Sequence, residues 1–344
     1  MGLPDASDSR LADLTRWVLD DLGFAGSRIA PASADASFRR YFRVTRGEDT
    51  YIAMDAPPEK ENLEPFVSVA RILLRIGLNV PVVLAKDAKQ GFLLLSDLGT
   101  RQYLDELKVA GTADRLYADA LEALSTMQSN DDALARGLPR YDRAMLMREM
   151  ELMPKWFLVD HLGLQVSAAE LGMLNRLFET LAQAALTQPA AFVHRDYHSR
   201  NLLVTPVDSP GILDFQDAVW GPVTYDLVSL LKDCYVEWPA ARVRAWALEY
   251  RERLLDRGFD LGAPERDFIR WFDLVGLQRH IKVLGIFARL FYRDGKSQYL
   301  HDLPRVLRYA QDAAADYPET AEFAGFIAKR IEPKFRAAQE RALA

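Results

Sequence analysis

Four polar residues near the middle of the chain have the types and the spacing that phosphoryl transfer requires. Asp196 is followed by Asn201 five positions later and by Asp214 thirteen positions after that. The first carboxylate can accept the proton of an attacking hydroxyl group or orient that group. The amide and the second carboxylate supply the hard oxygen ligands that Mg²⁺ prefers, so Asn201 and Asp214 are the candidate metal ligands. Asp196 and His194 are the candidate catalytic residues, and His194 is expected to brace the loop through hydrogen bonds.

Each of these polar residues lies beside a short apolar stretch, which indicates that strands position them. The stretches cover residues 191–193, 201–204 and 211–213. Rigid elements on both sides would hold the polar side chains at the rim of a cleft. The alternative is that the carboxylate and amide residues only form turns or helix caps, which favour the same residue types.

The whole chain predicts an α+β fold of two lobes, with a small β-rich N-lobe over residues 1–96 and a large, mostly helical C-lobe over residues 97–344. Polar turn residues at 46–49 separate two stretches of β formers, which predicts an antiparallel hairpin. The N-lobe elements are expected to be a helix at 10–22, strands at 38–44 and 50–54, a helix at 61–76, and strands at 80–84 and 91–95. In the C-lobe, helices are expected near 113–128, 142–161, 167–186, 223–236, 239–256, 264–292, 297–315 and 319–341.

The composition is ordinary for a soluble globular protein. The chain has 344 residues, of which 49% are hydrophobic and 27% are charged, and its net charge is −6. This negative balance argues against a general nucleic-acid binder, which neutralises phosphates with a basic face. Cys234 is the single cysteine, so no intramolecular disulfide can form, and its apolar neighbours predict a buried, inert thiol.

The start of the chain and its hydropathy predict a soluble, cytoplasmic protein. Residues 1–10 lack the basic and then apolar pattern of a secretory signal. No apolar run approaches the roughly 18 residues that span a bilayer. We therefore expect no membrane, nucleic-acid or obligate protein partner.

The catalytic pattern, completed by Phe215 after the second aspartate, resembles the catalytic loop and the metal-binding segment of protein kinases. The chain as a whole resembles the aminoglycoside phosphotransferase and choline kinase superfamily, which shares the protein-kinase-like fold. This resemblance implies an ATP-dependent phosphotransferase with an alcohol as acceptor and with ATP and Mg²⁺ as cofactors. It also implies that Leu93–Gly99 is the hinge, where the main chain at Leu95 and Asp97 binds adenine.

Two segments of the N-lobe resemble the nucleotide-binding elements of that superfamily but depart from them. Residues 32–41 are similar to the phosphate-covering loop, although 32–37 contain no glycine. The strand that carries a phosphate-anchoring lysine in the superfamily reads Ile52-Ala-Met-Asp55 here, so Glu64 on the next helix lacks its usual partner. The candidates for the phosphate contacts are Ser37, Arg40, Arg43 and Lys60. In the alternative interpretation the metal ions neutralise the phosphates, and these cations are solvated surface charges.

Five segments resemble, within the superfamily, the bacterial anomeric kinases of cell-wall recycling, which phosphorylate N-acetylmuramate and N-acetylglucosamine at C1. The segments are residues 35–43, 54–60, 194–201, 214–222 and 278–285. The resemblance implies a sugar 1-kinase of peptidoglycan recycling with an amino sugar as substrate. The candidates for the sugar contacts are His198, Gln216, Asp217, Trp220, Arg279 and His280.

Roles can be suggested for some of these residues. Arg279 is the preferred partner of the lactyl carboxylate of muramate, because a guanidinium binds a carboxylate through two hydrogen bonds. An exposed basic face is the alternative for Arg279 and Lys282, which lie three positions apart on a predicted helix. For Trp220, a sugar platform and simple packing are both open. Asp226 is expected to cap the following helix and to brace the loop.

Two rival functions fit the same residues. The first is a kinase of this fold that acts on an aminoglycoside or another small alcohol. Polycationic aminoglycosides need an acidic pocket, whereas the segment 279–293 is basic. The second is a pseudokinase that only binds nucleotides, which would explain the absent lysine, but Asp196, Asn201 and Asp214 are all present.

Overall fold

The computed structural model describes residues 8–34, 38–130 and 133–343. The chain divides into two compact units, each formed by two stretches of sequence. The first unit comprises Met1–Val109 and Asn201–Asp217, and the second comprises Ala110–Arg200 and Ala218–Ala344. The lobe boundary between residues 96 and 97 stays a prediction.

An antiparallel sheet of five strands forms the centre of the first unit, in the order β1-β2-β3-β5-β4. Its strands are β1 (Arg28–Ala34), β2 (Arg40–Arg46), β3 (Asp49–Asp55), β4 (Val83–Asp87) and β5 (Phe92–Ser96). The predicted β2–β3 hairpin is confirmed, and Gly47 supplies the positive φ angle of 62° that a two-residue turn favours. The sequence does not predict β1, because Pro31 and its small neighbours read as a loop and the pairing with β2 is irregular there.

Three α-helices and a small ladder complete the described part of the first unit. They are α1 (Ser9–Arg16), α2 (Leu63–Arg75), α3 (Tyr103–Glu106) and the two-residue strands β7 (Leu202–Leu203) and β8 (Gly211–Ile212). Leu14 of α1 packs with Trp17 against Phe42 and Phe92 of the sheet, so the N-terminal helix is part of the core. The ladder of β7 and β8 is antiparallel, and it carries the predicted metal ligands at its ends.

The second unit is mostly helical. Its helices are α4 (Ala113–Ser129), α5 (Ala133–Arg136), α6 (Arg143–Met150), α7 (Ala168–Leu186), α8 (Tyr225–Leu231), α9 (Ala240–Asp256), α10 (Glu265–Asp294), α11 (Leu303–Ala315), α12 (Ala321–Phe326) and α13 (Glu332–Leu343). Strands β6 (Ala190–Val193) and β9 (Val219–Pro222) pair antiparallel. The long helix α10 packs against α6, α7, α8 and α11. Gly285 permits this packing, because a Cβ atom there would lie 2.5 Å from the carbonyl carbon of Leu152.

Four predicted helices contain a segment of a different helical type within the described residues. The helix over 10–22 is α1 followed by a π-helical segment at Trp17–Asp21, and the helix over 319–341 is α12 and α13 joined by a π-helical segment at Ile327–Ile331. The helix over 142–161 is α6 followed by a π-helical segment at Met153–His161, where Pro154 lacks the N–H donor of an α-helix. The helix over 297–315 begins as a 3₁₀ helix at Ser297–Asp302 before α11. The α+β class with a small antiparallel sheet and many helices is confirmed. Across the three described ranges, no helix is both long enough and apolar enough to cross a membrane.

Candidate active site

The predicted catalytic loop follows β6, and Asp226 anchors its first residues. The carboxylate of Asp226 accepts hydrogen bonds from the backbone N–H groups of His194 (2.6 Å) and Arg195 (2.9 Å). Asp226 is fully buried, and burial raises its pKa to about 7 although these N–H groups oppose the shift. The predicted brace is therefore confirmed. The predicted helix cap is wrong, because Asp226 faces the loop and Thr224 is the N-cap residue of α8.

A second buried carboxylate anchors the other side of the same loop. Asp233 accepts a hydrogen bond of 2.9 Å from the backbone N–H of Ser199. Its other oxygen accepts one of 2.9 Å from the N–H of Tyr235. Asp196 lies between the two anchored parts of the loop, so its backbone is held from both sides. Asp233 was not predicted from the sequence, although a carboxylate two residues after the apolar run of α8 is a signal for a buried anchor.

Arg195 has a strained backbone conformation that a buried ionic network holds in place. Its φ angle is +78°, in the region that residues with a Cβ atom rarely adopt. The guanidinium pairs with Glu149 at 2.6 Å, and the ammonium of Lys282 pairs with the same oxygen at 3.0 Å. Tyr141 donates its hydroxyl to the second oxygen of Glu149, and Lys282 donates to the Tyr225 hydroxyl at 2.9 Å. Burial opposes ionisation of Glu149, but Lys282 and Arg195 hold its pKa below the usual value.

Asp196 lies among cations that favour its ionised form. Burial opposes ionisation, but positive charges, that of Lys282 above all and also those of Arg279 and Arg195, hold the pKa of Asp196 below its usual value. The backbone N–H of Asp196 donates to Nδ1 of His194 at 3.3 Å, which fits a bracing role for this histidine. An ionised carboxylate on an anchored loop is suited to receive a hydroxyl group.

His198 and Trp220 are both half-buried residues of the second unit. The ring of His198 meets Tyr235 edge to face, with centroids 5.4 Å apart, and burial lowers the pKa of His198 so that the imidazole is neutral at pH 7. Trp220 lies on β9 opposite Phe192 of β6. Its backbone N–H donates to the carbonyl of Pro139 at 2.8 Å, which fixes this strand.

Arg279 and His280 of α10 are buried rather than exposed. Arg279 is only 3% exposed, and it donates to the Ser229 hydroxyl at 2.7 Å and to Sγ of Cys234 at 3.5 Å. The alternative of an exposed basic face is therefore wrong for Arg279, and Lys282 is also buried. Burial lowers the pKa of His280 to about 3, and this ring stacks on Tyr309. The predicted buried thiol of Cys234 is confirmed, and burial raises its pKa to about 11.

The predicted metal ligands meet in the first unit. Asn201 precedes β7 and Asp214 follows β8, and the Asn201 amide lies 3.4 Å from Oδ2 of Asp214. The N–H of Leu213 donates to the Asn201 carbonyl at 2.9 Å, which keeps the two chain segments together. Gln216 donates to Oδ1 of Asp214 at 2.8 Å, and exposed Asp217 lies beside it. Asp214 has a φ angle of +61°, which aspartate tolerates better than most residues.

Leu95 and Asp97 lie at the end of β5, where the hinge is predicted. Leu95 is buried and pairs with Ile52 of β3. The Asp97 carboxylate accepts hydrogen bonds from Nε of Arg43 at 2.6 Å and from the N–H of Gly99 at 2.9 Å. Burial opposes ionisation of Asp97, but these contacts hold its pKa below the usual value. Arg43 therefore neutralises Asp97 and ties the end of β5 to β2.

Arg40 is also engaged in an ionic network. Its guanidinium pairs with Asp8 and lies 2.5 Å from the fully buried carboxylate of Asp55. Arg10 of α1 pairs with the other oxygen of Asp55 at 2.5 Å. This network ties the N-terminal helix to the sheet.

The remaining candidates of the first unit have different surroundings. Glu64, which lacks the strand lysine, pairs instead with Lys86 of β4. The ammonium of Lys60 lies 4.4 Å from the centroid of the Phe38 ring. Ser37 lies outside the described residues.

The candidates are distributed over both units. The second unit contains His194, Asp196, His198, Trp220, Arg279 and His280. The first unit contains Arg40, Arg43, Leu95, Asp97, Asn201, Asp214, Gln216 and Asp217.

Comparison with known proteins agrees with this fold and gives its family. The model of the phosphotransferase enzyme family matches residues 28–272, well over half of the chain, and the chain belongs to this family. It is therefore a phosphotransferase. Two similar relatives are the N-acetylmuramate/N-acetylglucosamine kinases of Pseudomonas aeruginosa and Pseudomonas putida, at 48% and 44% identity. Each alignment covers 94% of this chain and 97% of the relative.

Solved structures show the same fold at low sequence identity. The ADP-bound aminoglycoside phosphotransferase APH(2'')-Ib is 14% identical and superimposes with a TM-score of 0.56. The match covers 88% of this chain and 98% of that protein.

Proposed function

We propose that this protein is an ATP-dependent sugar 1-kinase that phosphorylates the anomeric hydroxyl of N-acetylmuramate and N-acetylglucosamine. Its place would be peptidoglycan recycling in the cytoplasm. The observation that carries the proposal is the identity of 48% and 44%, across 94% of the chain, to two kinases named for both sugars. The geometry supports it, because Asp196 is ionised and lies on a loop that Asp226 and Asp233 anchor from both sides.

Asp196 is the group that we propose acts on the sugar hydroxyl. A hemiacetal hydroxyl is more acidic than an ordinary alcohol, so little proton transfer has to precede the transition state. Orientation of the hydroxyl is then the larger contribution of the carboxylate. Lys282 and Arg279 keep that carboxylate ionised and able to accept a hydrogen bond. His194 contributes by holding the backbone of Asp196.

Asn201 and Asp214 are the proposed ligands of Mg²⁺. Their side chains lie 3.4 Å apart, so one cation can contact an oxygen of each once the Asn201 amide presents its oxygen in place of its nitrogen. A carboxylate, an amide oxygen and phosphate oxygens are the donor set that Mg²⁺ prefers. The ion supplies charge neutralisation on the transferred phosphoryl group.

ATP is proposed to bind in the first unit, with the main chain at Leu95 and Asp97 contacting the adenine. Arg40 and Arg43 already pair with carboxylates, at Asp55 and Asp97 respectively. We therefore propose that the metal ions, rather than these arginines, neutralise most of the phosphate charge.

The relatives also separate this proposal from the aminoglycoside rival. The two kinases at 48% and 44% identity are named for N-acetylated amino sugars, whereas the aminoglycoside phosphotransferase APH(2'')-Ib is 14% identical.

A coupled ADP-release assay tests the proposal. Purified protein with ATP is given N-acetylmuramate, N-acetylglucosamine or kanamycin, each with Mg²⁺ and with excess EDTA. We expect ADP release with both amino sugars, dependence on Mg²⁺, and no release with kanamycin. Release with kanamycin alone, or with none of the three acceptors, would contradict the proposal, and Asp196→Asn shows whether the activity belongs to this protein.

A further inference from the structure

Arg200, the last loop residue of the second unit, is stacked on aromatic side chains. Its guanidinium carbon lies 3.8 Å from the ring centroid of Tyr235 and 5.8 Å from that of Tyr299. Phe287 of α10 contacts both tyrosines, with ring centroids 6.2 Å and 5.2 Å away. Aromatic rings therefore fix a cation on the same loop that carries Asp196.

We propose that Arg200 binds the lactyl carboxylate of N-acetylmuramate and thereby sets the preference of the enzyme between its two sugars. This inference rests on the proposed function. Muramate carries the lactyl group as an ether on the C3 oxygen, where N-acetylglucosamine has a hydroxyl. The carboxylate is the one charge that distinguishes the two substrates, and a guanidinium matches it with two parallel hydrogen bonds.

Stacking prepares Arg200 for such a contact. The N–H donors of a guanidinium lie in its plane, whereas aromatic rings cover its faces, so stacking leaves the direction of the donors in the plane. The rings also restrict the side-chain rotamers before the ligand binds, which lowers the entropic cost of binding. Arg200, Tyr235 and Tyr299 are all half-buried, so they are in contact with solvent from which a sugar can arrive.

The loop geometry puts Arg200 within reach of a sugar that is bound at Asp196. The two residues are four positions apart, and even an extended chain of four residues spans at most about 14 Å. The chain is not extended here, because the N–H of His198 donates to the carbonyl of Asp196 at 3.1 Å and closes a turn. In the sugar, C3 is two ring carbons from C1, so the lactyl group extends from the same edge of the molecule.

Arg279, the partner expected from the sequence, is placed for a different role. It is 3% exposed, and it donates to Ser229 and to the sulfur of Cys234. A sugar carboxylate would have to enter the packing of α8 against α10 to reach it. Its charge acts on Asp196 instead, so the two arginines have different roles. Arg279 helps to keep the carboxylate of Asp196 ionised, and Arg200 recognises the substrate.

The test measures kcat/KM for both sugars in Arg200→Gln and in the matched control Arg293→Gln. Arg293 is an exposed arginine at the end of α10. We expect the muramate-to-glucosamine ratio of kcat/KM to fall about tenfold to a hundredfold in Arg200→Gln and to stay unchanged in the control. Equal losses for both sugars in Arg200→Gln would overturn the inference. The same ratio change in Arg279→Gln but not in Arg200→Gln would assign the carboxylate to Arg279.

A second arm uses the methyl ester of N-acetylmuramate, which lacks the charge but keeps the lactyl group. In the wild type, we expect esterification to lower kcat/KM by about the factor that Arg200→Gln causes with the free acid, because both changes remove one ion pair. In Arg200→Gln, esterification should lower kcat/KM by less than about threefold. An equal decrease in kcat/KM on esterification in both proteins would overturn the inference. Each comparison is made between two substrates of one protein, so reduced folding of the variant does not affect the result. A wild type inactive on both sugars refutes the proposed function itself, whereas unchanged selectivity in an active variant refutes only the role of Arg200.

Discussion

Replacement of Asp226 by asparagine removes one of the two hydrogen-bond acceptors that anchor the start of the predicted catalytic loop, while it preserves the shape of the side chain. The carboxylate accepts hydrogen bonds from the N–H groups of His194 and Arg195, at 2.6 Å and 2.9 Å. An amide has one acceptor oxygen and one donor nitrogen. In Asp226→Asn, one backbone N–H therefore faces an NH₂ group instead of an acceptor, in a fully buried position.

The size of the effect follows from that lost contact. A hydrogen bond to a charged group contributes about 1.5–3 kcal/mol, and an unsatisfied buried donor adds a cost of similar size. If this free energy is needed to hold Asp196 in its position within the loop, kcat falls by about tenfold to a hundredfold or more, because about 1.4 kcal/mol corresponds to a factor of ten in rate. The Kd for ATP should change by less than about twofold, since the proposed nucleotide contacts involve other residues.

The assay is steady-state ADP release with N-acetylglucosamine, together with ATP binding measured by calorimetry. Asp312→Asn is the control, because Asp312 is an exposed aspartate of α11. A kcat of Asp226→Asn within about threefold of the wild type would refute the view that this carboxylate positions the loop. Parallel losses in kcat and in ATP affinity would indicate general unfolding instead and would also contradict it.

The pH dependence gives a second test of the same residue. Burial raises the pKa of Asp226 from 3.8 to about 7. The ionised form accepts both N–H groups, so kcat should fall as the pH drops below about 7, and Asp226→Asn should lack this limb. The folding stability depends on pH in the opposite direction to kcat, because the pKa of Asp226 is higher in the folded state than in the unfolded state. The contribution of Asp226 to stability is therefore complete below about pH 4 and is lost as the pH rises through about 7. The difference in Tm between wild type and variant, measured from about pH 4 to pH 8, shows this, and a constant difference would contradict it.

Three further substitutions probe the rest of the site. Asp196→Asn should lower kcat by about 10²–10⁴-fold while calorimetry still detects ATP binding, and a parallel loss of ATP affinity would contradict the assignment. Glu149→Gln leaves the cations of Arg195 and Lys282 without their buried carboxylate, so urea unfolding should show a loss of about 3–5 kcal/mol, whereas the exposed neighbour Glu151→Gln should lose almost nothing. Asp214→Asn should raise the Mg²⁺ concentration that gives a half-maximal rate by about tenfold or more. The control is Asp208→Asn, at an exposed position, and equal Mg²⁺ titrations in the two variants would show that Asp214 is not a metal ligand.

Periodicity and turn chemistry predict much of this fold because they depend on local interactions. The β2–β3 hairpin follows from Gly47 between two stretches of β formers, and α10 follows from apolar residues at helical spacing. β1 is missed because Pro31 and small residues give no alternating pattern, and pairing with β2 rather than local propensity makes it a strand. The π-helical segment at Met153–His161 is missed for a similar reason, since a hydrophobic pattern does not distinguish it from an α-helix.

The candidate site is less predictable because its supporting contacts join residues far apart in the sequence. The pattern identifies Asp196, but it gives no sign that Glu149 pairs with Arg195, a contact across 46 positions. Nor does it show that Lys282 is buried, since a cation on an amphipathic helix usually faces solvent. A basic residue among apolar neighbours on both sides is the signal that would have indicated a buried ion pair.

The most direct test of the central proposal is identification of the phosphorylated atom. N-acetylmuramate is converted with ATP and Mg²⁺, and the product is examined by two-dimensional ¹H–³¹P correlation spectroscopy. We expect a cross-peak between phosphorus and the anomeric proton H1, which the Asp196→Asn protein does not produce. A cross-peak to the C6 protons, or no phosphorylated sugar with the wild type, would contradict it.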